Sequence, residues 1–167
     1  LCASMGQGLL VWYAVQEKNK GGSIEAVRDW AEAHKLNLCH WFTVDDLHFL
    51  KRGGRVSAAT AVVGSMLQIK PVLHVDNEGH LINMGKARGR HASLTALVDH
   101  MEQTAIDPGA QTVFISHGDC LEEAERVADD VRKRFGVKEI IINNVGPVIG
   151  AHSGPGTMAL FFMGRER

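Results

Sequence analysis

A chain of 167 residues that is 45% hydrophobic and 22% charged fits one globular domain with a real core and argues against disorder. Lys and Arg number 18 against 19 Asp and Glu, so a formal charge of -1 gives no bulk field that would recommend a nucleic acid or an anionic membrane as partner. Three cysteines, Cys2, Cys39 and Cys120, have no CxxC spacing and imply neither a disulfide framework nor a zinc site.

Leu9, Leu10, Trp12, Tyr13 and Val15 recur with helical spacing over residues 5–19, and Gly21-Gly22 ends that helix. The SMGQG run at its start matches neither a nucleophile elbow nor a phosphate loop. It reads either as a helix start capped by Ser4, with glycines for close packing, or as a helix N-terminus facing an anion. Ser23 then caps a second helix, with Ile24, Val27, Trp30 and Ala31 as its apolar stripe to about His34. Residues 38–44 are aromatic and β-branched and read as a buried strand. Asp45 and Asp46 are suited to cap a short helix carrying Leu47, Phe49 and Leu50, which Gly53-Gly54 ends. Ser57 can cap a further helix over 58–68, rich in small residues.

Residues 69–75 and 80–87 flank Asp76-Asn77-Glu78-Gly79 and predict a β-hairpin. A helix over 91–105 carries Leu94, Leu97, Val98 and Met101 on one side. After a strand over 112–116, Asp119 with Glu122 predicts a capping box that starts a helix through Phe135. Strands over 138–145 and 157–163 follow. One hairpin and two strand-helix-strand units predict an α/β (α+β) fold: a mixed, largely antiparallel sheet of about six strands with helices packed on it as a two-layer sandwich. No linker divides the chain, so residues 1–167 read as a single domain.

No apolar run approaches the ~18 residues of a membrane span, and the start has no charged n-region followed by an apolar h-region. A cytoplasmic location is expected, not an integral membrane protein. The chain begins at Leu1 and runs straight into a helical pattern, which reads as a piece of something longer.

Three stretches carry candidate chemistry. In AHSGPGT, Pro155 can set the first corner of a type II turn and Gly156 the positive φ that follows, presenting His152 and Ser153 to an anion or a carbonyl oxygen. In LKRGGRVS, a Gly-Gly break followed by Arg55 brings a fixed cation to the mouth of two helices; the alternative is a helix corner with a solvated arginine. His117 lies at a strand end, where ligand-facing groups gather in α/β folds, but His117-Gly118-Asp119 is equally a turn and a cap. The basic run Lys86, Arg88, Arg90 reads as a solvated strand end or a phosphate contact. Nine histidines are scattered without HExxH or HxxxH spacing, so no metal site is expected.

Together, DDLHFLKRGGRVS, LQIKPVLHVDNEG, ISHGD and GPVIGAHSGPGTMALFF resemble the DegV family in order and character, over nearly the whole chain from Ser4. Departures are mild: Val56 and Val72 stand where isoleucine is common, Gln68 for asparagine and Ser153 for threonine. The resemblance implies a bacterial, cytosolic, two-lobed fatty-acid-binding protein that presents its ligand to a fatty acid kinase. This chain would be its C-terminal lobe, with residues 1–20 as the lobe-connecting helix and the first lobe absent. On matching positions, Arg55 and His152 look like members of the polar network at the carboxylate end, with Ser153 and Gly154 beside them. Met66, Leu67, Ile69, Phe161 and Phe162 are candidates to line the acyl slot, or are plain core. No cofactor is expected besides a bound long-chain fatty acid. About fifteen methylenes gain on the order of 12 kcal/mol on leaving water, at ~0.8 kcal/mol each, so such a ligand needs an apolar slot with polar groups at one end. The competing reading is an acyl- or phosphoryl-transfer enzyme with His152 as general acid or base, against which stands the lack of a nucleophile-base pair at recognisable spacing. A third reading is a purely structural or partner-docking lobe without a ligand.

Overall fold

The computed structural model describes residues 1–57 and 68–167. Its helices are α1 (Ser4–Asn19), α2 (Ile24–His34), α3 (Leu47–Arg52), α4 (Arg90–Thr104), α5 (Leu121–Phe135) and α6 (Pro147–Ser153). Its strands are β1 (Leu38–Thr43), β2 (Ile69–Val75), β3 (Leu81–Arg88), β4 (Thr112–His117), β5 (Glu139–Asn144) and β6 (Met158–Met163). They form one six-stranded sheet in the order β3-β2-β1-β6-β4-β5. Among the described residues the β4–β5 pair alone is parallel, and α5 makes the crossover that such a pair requires. Every other pairing is antiparallel, so the sheet is mixed and largely antiparallel.

Both faces of the central strands carry core. Successive side chains of a strand leave on opposite faces, and along β6 Met158, Leu160 and Phe162 join one apolar cluster while Ala159 and Phe161 join another. The first cluster is closed by Leu97, Val98 and Met101 of α4 and Val127, Ala128 and Val131 of α5, completing an α/β sandwich. The second face carries Leu9 of α1 and Leu47 and Leu50 of α3. Among the described residues, no helix is long and apolar enough to cross a membrane.

Several local signals act as the sequence predicts. Ser23 Oγ accepts the Ala26 N–H at 3.2 Å and starts α2; Asp46 Oδ1 accepts the His48 N–H at 2.8 Å and starts α3. Asp45 does not cap; its carboxylate pairs with Lys70 at 2.9 Å and lies 3.6 Å from Arg90. Arg90 is also drawn from the expected basic run by Glu123, at 2.7 Å.

Other expectations are corrected. Ser4 is not the cap of α1: Ala3 holds that position without a side-chain cap, and Ser4 itself sits at φ +53. The capping box at Asp119 does not form, because Asp119 lies one residue before the N-cap, at φ +56, and α5 has no side-chain cap. Instead the Cys120 N–H donates to Nδ1 of His117 at 3.2 Å. The opening of AHSGPGT is not loop: Ala151, His152 and Ser153 form the last turn of α6, a helix started by Pro147 in its favoured first position. The helix expected over 58–68 lies outside the described residues except for Gln68, which is in a turn at φ +69.

Candidate functional site

On the α1 and α3 face of the sheet lies a cavity of about 310 Å³. Phe42 of β1, Leu50 of α3, Val75 of β2, Leu81 of β3 and Ala159 and Phe161 of β6 give it apolar walls. Polar groups reach it from Ser4 at the start of α1, His40 of β1, Ser116 of β4, and Arg55, His152 and Ser153 after α3 and in α6.

The two glycine-rich stretches, nearly a hundred residues apart in sequence, meet at its rim. α3 packs against α6, and the His152 ring occupies the space that a side chain on Gly53 would fill. Arg55 folds back so that its Nη1 donates to the Gly53 carbonyl at 2.9 Å, leaving its other donors uncommitted among the described residues. His152 is half-buried, and its ring makes no hydrogen bond or ion pair among the described residues.

The chain leaves α6 through Gly154, at φ +79 and ψ 175, a region open in practice to glycine alone. Gly154 does not line the cavity; it lets the backbone pass under the Phe49 ring. Gly156 takes the positive φ expected after Pro155, at +74, and its N–H donates to the Gly118 carbonyl at 2.7 Å. Ser153 differs from expectation. Its hydroxyl donates to the Ile149 carbonyl at 2.9 Å, so it can accept from a ligand but has no proton to give.

Of the apolar candidates, Phe161 lines the cavity. Phe162 does not: it is wholly buried in the cluster beneath α4 and α5, on the opposite face. Ile69 also lies elsewhere, half-buried opposite Arg88 at the start of β2. Met66 and Leu67 lie outside the described residues. Among the described residues, no three His, Cys, Asp or Glu side chains gather in a way that could hold a metal ion.

Sequence reasoning passed over Ser4, His40 and Ser116 as cavity residues. The available signal was strand period: His40 shares a face with Phe42, and Ser116 with Phe114. His40 is 2% exposed, with Nε2 accepting from the Ala3 N–H at 3.3 Å and Nδ1 at 3.1 Å from the Leu38 carbonyl, which together specify a neutral ring protonated at Nδ1. Burial lowers its pKa to about 3, with the Arg167 charge adding to the effect. Because the folded form resists protonation and the unfolded form takes a proton near pH 6.5, stability from this group is intact above pH 6.5 and declines as pH falls towards 3. The loss reaches about 2 kcal/mol at pH 5. Urea denaturation at pH 7.5 and pH 5 measures it, and His40→Gln, which keeps a donor and an acceptor without titrating, flattens that part of the profile; an unchanged slope would mean another group governs it.

A family model described as "Uncharacterised protein, DegV family" matches residues 1–165. The chain is 50% identical over 162 residues to a DegV domain-containing protein of Clostridium perfringens, covering 97% of this chain and 56% of that protein. Among solved structures, one described as fatty acid binding of a DegV family protein from Thermus thermophilus is 29% identical, with a TM-score of 0.80 over 96% of this chain and 57% of that one. The Fatty Acid Kinase B3 protein of Streptococcus pneumoniae, loaded with linoleic acid, shares the fold at a TM-score of 0.84 and 20% identity, over 93% of this chain and 54% of that one. This chain thus spans about half the length of the curated relatives it matches.

Proposed function

The chain belongs to the DegV family, and we propose that it is the C-terminal lobe of a cytoplasmic two-lobed protein that binds a long-chain fatty acid and presents its carboxylate to a fatty acid kinase. Residues 1–167 act as one domain, with residues 1–20 joining the lobes. The protein binds and delivers; the partner kinase performs the phosphorylation.

The observation that carries this reading is the apolar cavity lined by both Arg55 and His152, each of which also meets Gly53. Methylenes gain from the apolar walls, and a carboxylate would otherwise lose its hydration unless donors meet it. At about 310 Å³ the cavity stands at the small end of the ~300–1,000 Å³ range of ligand sites, which suits a half-site completed by another lobe. A solved relative at 29% identity is described by its fatty acid binding.

Native mass spectrometry with lipid extraction of the full-length protein tests it. A co-purifying or added C16–C18 acid bound one to one is the expected result, and no binding of palmitate or oleate would sink the reading. In the same protein, Arg55→Ala weakens palmitate binding or transfer to the kinase about tenfold, in line with the ~1.5–3 kcal/mol of a hydrogen bond to a charged group. Unchanged binding and transfer would remove Arg55 from the site.

A further inference from the structure

The Arg167 guanidinium is spent on backbone carbonyls rather than on a carboxylate. Nη2 donates to the Lys35 carbonyl at 2.6 Å, Nη1 to that of Asp76 at 2.9 Å and Nε to that of Leu38 at 3.1 Å. Two of these acceptors lie where regular bonding stops. Lys35 closes α2, at the end where carbonyls lack helical partners and a cation is favoured. The β1–β2 ladder pairs Trp41 and Phe42 and does not reach Leu38. Asn37 brings the tail there: its carbonyl accepts the Gly164 N–H at 2.7 Å, and its side-chain amide donates to the Gly164 carbonyl at 3.0 Å.

The Leu38 carbonyl takes a second donor, Nδ1–H of His40 at 3.1 Å, and Nε2 of the same ring accepts the Ala3 N–H at 3.3 Å. The ring lies in a slot between Gly6 of α1, where a side chain would strike it, and Phe161, edge-on with centroids 5.5 Å apart. Ala3, Ser4, His40 and Phe161 all line the cavity. A line of three hydrogen bonds thus runs from Arg167 to the first residues of α1. It works in one tautomer only. Moving the proton from Nδ1 to Nε2 would set two donors face to face at Ala3 and two acceptors face to face at Leu38.

We propose that Arg167 is a positioning residue for the ligand cavity: by holding the Leu38 carbonyl it fixes the tautomer of His40, and through His40 it fixes the entry of α1 that forms one cavity wall. The ligand's identity rests on the fatty-acid reading above; the hold on His40 does not. A lysine would keep the charge but lacks the planar fork that reaches all three carbonyls. The charge has an effect of its own: with His74 of β2 and the Leu1 amino group, it opposes a proton on His40 that burial already disfavours.

The test uses the full-length protein, unaltered and as Arg167→Gln, Arg167→Lys, His40→Leu and the double variant Arg167→Gln with His40→Leu. Two measurements are made well below the melting temperature: NMR of the histidine ring nitrogens, and displacement of a fluorescent fatty acid by palmitate. The His40 signals, assigned by their loss in His40→Leu, show the Nδ1–H tautomer in the unaltered protein. Arg167→Gln admits the other tautomer and makes His40 take a proton about tenfold more readily, since a nearby positive charge is gone. It also weakens palmitate binding about fivefold, and adds little to the loss in His40→Leu, because the two residues act in one line. Arg167→Lys restores the resistance to protonation but neither the tautomer nor the affinity. Phe162→Ala, which destabilises the core on the opposite face, leaves both tautomer and affinity unchanged, so lowered stability alone does not produce this pattern. A ring that stays wholly in the Nδ1–H form in Arg167→Gln, or affinity losses that simply add in the double variant, overturns the proposal. Should the unaltered protein bind no palmitate, the fatty-acid reading fails, while the ring signals still decide whether Arg167 governs His40.

Discussion

Phe162→Ala lowers the free energy of unfolding by about 4 kcal/mol, within the ~3–5 kcal/mol typical of truncating a buried phenylalanine. The side chain is wholly buried, and it lies among Cys39, Val113, Leu160 and the inner faces of α4 and α5. Helices packed on both sides of the sheet leave little freedom to collapse into the void, and the cost of such a truncation rises with the cavity that remains. Urea denaturation of the protein gives the value directly. Fatty-acid affinity of the full-length variant, measured well below its melting temperature, stays unchanged because Phe162 faces away from the cavity. A loss below about 1 kcal/mol, or affinity lost in the folded variant, would contradict its place in the core.

Gly154→Ala costs about 3 kcal/mol from two sources that can be separated. At φ +79 and ψ 175 a Cβ brings backbone strain of roughly 1–3 kcal/mol. The same Cβ would stand 2.5 Å from Cδ2 of Phe49, and overpacking of this kind costs typically ~1–3 kcal/mol. Combining it with Phe49→Leu recovers the steric part and leaves the backbone part, a coupling that a double-mutant cycle in urea reads. Additive effects would mean that the Phe49 ring moves aside freely. Since Phe49 and Gly154 lie where α3 meets α6, the variant also shifts His152 relative to Arg55.

Much of the secondary structure was legible because its signals are local. Ser23 and Asp46 cap the helices they precede, and the turn at Asp76 to Gly79 closes the β2–β3 hairpin. Gly156 takes the conformation that its place after Pro155 requires. The capping box failed for a reason that sequence does not carry: Asp119 follows β4 in a left-handed conformation, and a nearby histidine ring takes the Cys120 N–H. α6 is hard to read from the sequence because Gly150 inside it and Gly146 before it weaken the helical pattern, although Pro147 marks its start.

The apolar run Met158 to Met163 shows how far a pattern reaches. When both faces of a strand are buried, alternation between apolar and polar residues disappears, and Phe161 and Phe162 look alike. Only the sheet tells them apart, by setting Phe161 against the cavity and Phe162 under α4 and α5. Ser4, His40 and Ser116 were hidden likewise, since each is unremarkable in its own segment and they meet only after β1, β4 and α1 assemble.

By itself, the sequence determined the mixed sheet, the helices with local caps and the two glycine-rich stretches that resemble the DegV family, because chain geometry and backbone hydrogen bonding act over a few residues. The tertiary structure alone decided that Gly53 receives the His152 ring, that Ser153 spends its proton on its own helix, and which phenylalanine meets the cavity. Those outcomes depend on packing and hydrogen bonds between segments, and their distances are set by how the helices lie on the sheet.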